Sequence, residues 1–161
     1  MRPLGTLLLV LLGAGAAFGA DGPVLKKIVV NLPFEEAELV MTSEAQQKNL
    51  NLINVIDIRK GMENRGGTFQ KYKIYQFCNL ELGVRILSDS LDYGAFQLCS
   101  ILIYEVDRAR TALVSARQSW VIQSLPDHRP SPAALGLARQ FERIIDDIFD
   151  AVVEEAKVRG K

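Results

Sequence analysis

The chain has 161 residues, 48% of them apolar and 24% charged, with 19 basic and 19 acidic side chains. That length fits one domain with a real core. Zero formal net charge and no polybasic run leave no electrostatic footprint for nucleic acid and nothing to grip an anionic membrane, so a protein or a small molecule is the expected partner.

Residues 1–19 read as a signal peptide. Met1-Arg2 supplies one positive charge, Leu4 to Leu12 is apolar, and the small residues Gly13-Ala14-Gly15-Ala16-Ala17 follow. A cut after Gly19 puts Gly19 and Ala17 at the two positions that want small side chains. The apolar run is shorter than the ~20 residues of a membrane span. The expectation is a periplasmic or secreted protein with no stable membrane anchor after cleavage. In such a compartment cysteines tend to be oxidised or to hold something.

Val24 to Asn31 is β-rich and predicts a first strand. Pro33 suits a helix start, and Glu35, Glu36 and Glu38 complement the positive end of the helix dipole. Phe34, Ala37, Met41 and Ala45 recur at helical spacing, which predicts one buried stripe up to about Lys48. Leu50 to Ile58 predicts a second strand, with Ile53 and Val55 on one side and Leu52, Ile56 and Ile58 on the other. Apolar residues on both sides predict that both are covered.

Arg59 to Gly67 is charged and holds Gly61, Gly66 and Gly67, so it predicts a loop with one helical turn near Met62. Lys71 to Asn79 predicts a third strand and Leu80 to Ser90 a second helix. Ala95 to Val106 predicts a fourth strand, and Thr111 to Val121 a fifth. Residues 123–132 carry Pro126, Pro130 and Pro132 and read as a stiff connector. A last helix over 133–159 repeats Leu137, Phe141, Ile144, Ile145, Ile148, Val152 and Ala156, so it docks on the domain or on a second subunit. Burying four such large side chains contributes on the order of 6–10 kcal/mol before entropy.

The order is therefore β-α-β-β-α-β-β-α. It predicts an α+β domain of two layers, a mostly antiparallel sheet with helices on one face.

Several of these residues carry a family resemblance: Cys78-Asn79 at a strand end before a helix, Gly94, Cys99 and then Ile103-Tyr104-Glu105, Pro33-Phe34-Glu35-Glu36-Ala37, and Val55-Ile56-Asp57. Residues 24–122 thereby resemble the domain of unknown function 302 (DUF302) family. The resemblance implies a fold similar to the TATA-binding-protein fold and a homodimer. It implies no activity, because the family is named for lacking one.

The candidate chemistry centres on Cys78, Asn79 and Cys99. Three readings stand for the two thiols: a disulfide, a shared redox or soft-metal (copper or haem) site, or two separate buried side chains. There is no CxxC, so a thioredoxin-type mechanism has no support. His128 is the single histidine and lies in the proline-rich connector, where a surface residue is expected. Asp146, Asp147 and Asp150 fall off the apolar stripe of the last helix and read as a solvated face. Tyr72, Tyr75, Tyr104 and Trp120 on predicted strands, with Tyr93 in the turn before the fourth, read as core before ligand pocket. Together these point to a non-enzymatic accessory protein that binds a small ligand or a metal or haem group. The alternative is a thiol-dependent redox enzyme using Cys78 and Cys99. No cofactor is specified.

Overall fold

In a computed structural model, residues 24–96, 99–125 and 129–160 are described. The signal-peptide segment and His128 lie outside them. The elements are β1 (Leu25–Val30), α1 (Phe34–Gln47), β2 (Asn51–Asp57), α2 (Ile58–Glu63) and β3 (Tyr72–Cys78). Then come α3 (Leu80–Leu87), a 3-10 segment (Leu91–Phe96), β4 (Cys99–Asp107), β5 (Arg110–Ala116), α4 (Gln118–Gln123) and α5 (Pro132–Arg159). Every strand pairing is antiparallel, in the order β1-β5-β4-β3-β2, as the α+β reading expects.

Local chemistry sets the ends of α1. The acidic Glu35 and Glu36 occupy its first turn. At the other end Asn49 takes a left-handed φ of 59°, a conformation asparagine tolerates better than most side chains. Leu50 N–H then bonds the Ala45 carbonyl and Asn49 N–H the Gln46 carbonyl, at 2.9 and 3.1 Å. That paired closure turns the chain out of the helix and into β2. The predicted stripe is the buried one: Phe34, Ala37, Met41 and Ala45.

Register shows which sheet face the helices cover. Phe77 pairs with Cys99, Tyr75 with Ile101 and Lys73 with Ile103, and Ile101, Ile103, Tyr75 and Phe77 are all buried. Strand side chains alternate between faces, so these residues share one face. On that face Lys73 reaches Glu38 of α1 and Lys26 reaches Asp146 of α5. The core cluster joins it to Met41, Ile148, Phe149 and Val152 of the two long helices.

The helical turn expected near Met62 is a six-residue helix, α2, whose start is capped by the Asp57 carboxylate accepting from Lys60 N–H. Two expectations need correction. The fifth strand stops at Ala116, and Trp120 lies on α4 instead. β2 is an edge strand that is exposed along most of its length, not covered on both sides. Its alternation is also broken. The register shifts between Leu52 and Asn54, so Leu52 opposite Phe77 and Val55 opposite Tyr75 fall on the same face.

Ser131 caps α5, its hydroxyl accepting from Ala134 N–H at 3.1 Å, with Pro132 in the first turn. Its stripe is buried at Leu137, Phe141, Ile145, Ile148 and Val152, with Ile144 and Ala156 half-buried. The acidic residues off that stripe are surface groups. Asp146 pairs with Lys26 and Asp147 with Lys48, at 2.5 and 3.2 Å, and Asp150 is exposed.

Candidate functional site

The end of β3 and the start of β4 carry the residues that the sequence singled out. Asn79 closes β3 and opens α3. Its side-chain oxygen accepts from Leu82 N–H at 3.0 Å, which satisfies one of the orphan donors of the helix start. Asn79 is buried, so this cap is shielded from water.

Cys78 and Cys99 sit on neighbouring strands without sharing a face. Phe77 is the register partner of Cys99, so Cys99 points with Phe77 into the core and Cys78, one residue on, points to the open side. Cys99 is buried and Cys78 half-buried, and the structure holds no bond between the two sulfurs. The register explains this, because a bridge would need both Cβ atoms on one side of the sheet. Among the described residues no group of three or more histidine, cysteine or acidic side chains could hold a metal ion.

Cys99 forms part of a small crevice under α3. Asn79, Leu82, Tyr93, Gln118, Ile122 and Phe141 line it with Cys99, bringing together α3, the 3-10 segment, α4 and α5. The enclosed volume is about 20 Å³, enough for roughly one water. Burial, followed by the neighbouring Cys78, pushes the Cys99 thiol well above its ordinary range. The sulfur therefore stays protonated near neutral pH and behaves as a small, soft, weakly polar surface.

Of the sequence candidates, Asn79, Cys99 and Tyr93 come together here. Cys78 faces the other side, beside Gln76, whose amide oxygen accepts from Asn54 at 3.1 Å. Tyr72 stacks on Tyr104 at 5.8 Å between ring centroids. Tyr75 is core and bonds Glu38. Gln118 and Phe141 were not singled out for the site. Phe141 stands in the apolar stripe of α5, which does carry a signal, whereas Gln118 stands in what reads as a strand.

Comparison with known proteins gives a family without an activity. The family described as "Domain of unknown function DUF302" matches residues 26–148, from β1 into α5. An uncharacterised protein of Aquifex aeolicus (strain VF5) is 24% identical over 98 residues, which is 61% of this chain and 62% of the relative's length. The crystal structure of an uncharacterised conserved DUF302 protein from Bacillus stearothermophilus superposes with a TM-score of 0.72 at 16% identity. It covers 81% of this chain and 99% of its own. At that identity the likeness speaks for the fold alone. The match over most of the folded residues, joined to a five-stranded antiparallel sheet under two long helices, places the chain in the DUF302 family.

Proposed function

We propose that this is an exported, homodimeric binding protein without catalytic activity, in which the crevice beside Cys99 widens from its one-water volume to take a small, uncharged or weakly polar molecule. The observation that carries this reading is the lining. The crevice offers the amides of Asn79 and Gln118, the thiol of Cys99 and the Tyr93 ring among apolar side chains, and no carboxylate, imidazole or ammonium lines it. Sites built for recognition combine an apolar wall with a few placed polar groups. A redox or nucleophilic enzyme would instead want an accessible thiolate, and burial opposes that ionisation at Cys99.

Export rests on the signal pattern of residues 1–19. Homodimerisation is supported by the exposed apolar residues of β2. Among the described residues no helix is long and apolar enough to cross a membrane.

The test is native mass spectrometry of protein purified without denaturation from its own compartment. The expectation is a non-covalent adduct on the wild type, retained in Cys78→Ser and lost in Cys99→Leu, whose larger side chain fills the crevice. A bare wild-type protein, or an adduct that survives Cys99→Leu, would refute the crevice as the site. The same spectrum reads the N-terminus, expected at Ala20.

A further inference from the structure

On the other flank of α4 lies a second, polar concavity. Gln118 and Ile122 of α4 face the crevice, whereas Ser119, Trp120 and Gln123 face a groove of about 260 Å³ shared with α5. Arg117, at the cap position of α4, lines this groove, and Arg139 and Arg143 line it from α5. Arg139 and Arg143 are four residues apart, so they lie one turn from each other on the same flank.

The two carboxylates of the groove are already engaged. Glu142 accepts from Ser119 N–H at 2.7 Å and stands 3.8 Å from Arg117. Asp146 pairs with Lys26 at 2.5 Å. The three arginines that line the groove, against Glu142 and Asp146, leave an excess of one positive charge, on a chain whose formal net charge is zero. Arg143 is exposed and makes no ion pair among the described residues. The Nε of Arg117 is buried and has no hydrogen-bond partner among them. A buried donor left without an acceptor is unusual in a folded protein and calls for an acceptor from elsewhere.

We propose that this groove binds a small organic oxyanion, a carboxylate or phosphate whose planar body lies against Trp120. Guanidinium groups present their donors in a planar fork that matches both oxyanions. The indole supplies an apolar surface beside them. The volume suits a ligand smaller than the usual drug-sized molecule. This site shares α4 with the crevice but uses different residues, so it stands independently of the reading above.

Trp120 is the one tryptophan of the chain, so its emission reports on the groove directly. The full-length protein is titrated with phenylacetate and with inorganic phosphate, with sodium chloride at matched ionic strength as control. The expected result is a saturable change with phenylacetate or phosphate and none with chloride, the stronger response distinguishing a carboxylate from a phosphate site. Arg143→Gln, a substitution on the surface, should weaken the response about tenfold, as loss of one charge-assisted contact does, without shifting the thermal midpoint. Arg139→Gln gives a second, independent variant. No saturable change with either anion, an equal response to chloride, or unaltered affinity in both variants would overturn the proposal.

Discussion

The Tyr75 hydroxyl donates a hydrogen bond to Glu38 Oε1, tying β3 to the middle of α1. The same oxygen accepts from Lys73 Nζ at 2.6 Å, so one carboxylate holds two side chains that stand two residues apart on one strand. Tyr75 is only 6% exposed, and burial followed by the bond to Glu38 raises the pKa of its phenol. A bond to a charged acceptor in such a place is worth more than one at the surface. Tyr75→Phe, which keeps the ring, should destabilise by about 2 kcal/mol. Urea unfolding checks this, and a change within error would show that the bond contributes nothing net.

Alkaline pH should weaken the fold. Tyr75 and Cys99 both have folded-state pKa values raised above their ordinary 10.0 and 9.0. The unfolded chain therefore releases these protons first, and stability that is complete below 9.0 declines as pH rises through and beyond those values. Thermal midpoints measured across this range should fall, and the Tyr75→Phe, Cys99→Ala double variant should fall less steeply than the wild type. Parallel curves would count against both groups.

The two thiols should differ in reactivity. Cys78 is half-buried on the open side, while Cys99 is buried and its thiolate is disfavoured by its surroundings. Alkylation at neutral pH should modify Cys78 first and Cys99 only as the protein unfolds. Peptide mapping after timed quenching resolves the two. Equal rates would mean that the crevice opens readily, and failure of both to react before and after unfolding would mean that they are bridged.

The turn that ends α1 offers a test of local backbone chemistry. Asn49 alone among the described non-glycine residues holds a positive φ. Asn49→Gly should be neutral or slightly stabilising, while Asn49→Val should cost about 1–2 kcal/mol because a β-branched side chain clashes in that region. The two variants change the same exposed side chain, so denaturant midpoints that shift together would show that φ is not what matters here.

Legibility in the sequence followed the range of the interactions. The stripe of α1 was readable because Phe34, Ala37, Met41 and Ala45 repeat with the helix itself, whereas Asn79, read as a strand end and site candidate, is the cap of α3, a role that an asparagine before an apolar run signals locally. The switch from β5 to α4 was not. Arg117-Gln118-Ser119-Trp120-Val121 reads equally well as a strand. What favours the helix is Glu142, which accepts from Ser119 N–H across 23 positions of sequence. The bulge at Ile53 escaped for the same reason, since only pairing with β3 reveals it. The crevice drew Tyr93, Gln118 and Phe141 from three separate elements, and the arginine groove likewise needed α4 laid against α5 before its charges added up.

The edge strand gives the test of assembly. β2 ends the sheet, and Leu52, Ile53, Val55 and Ile56 are 51%, 55%, 38% and 40% exposed there. An uncovered edge with apolar side chains on both faces is a template for pairing with another chain, and natural edges are ordinarily guarded by charge, proline or a covering element. The charge in this strand is Asp57, at its far end. The expected occupant is a second copy, giving a dimer by light scattering after size exclusion. Ile53→Lys places a charge on the edge without removing a buried group, so it should yield a monomer that unfolds cooperatively. Because a dimer is stabilised by its own concentration, the wild-type midpoint should rise with protein concentration and that of Ile53→Lys should not. A monomeric wild type would rule out the dimer. A dimer indifferent to Ile53→Lys would move the interface off β2, to the open face where Leu25 and Val29 are 54% and 49% exposed.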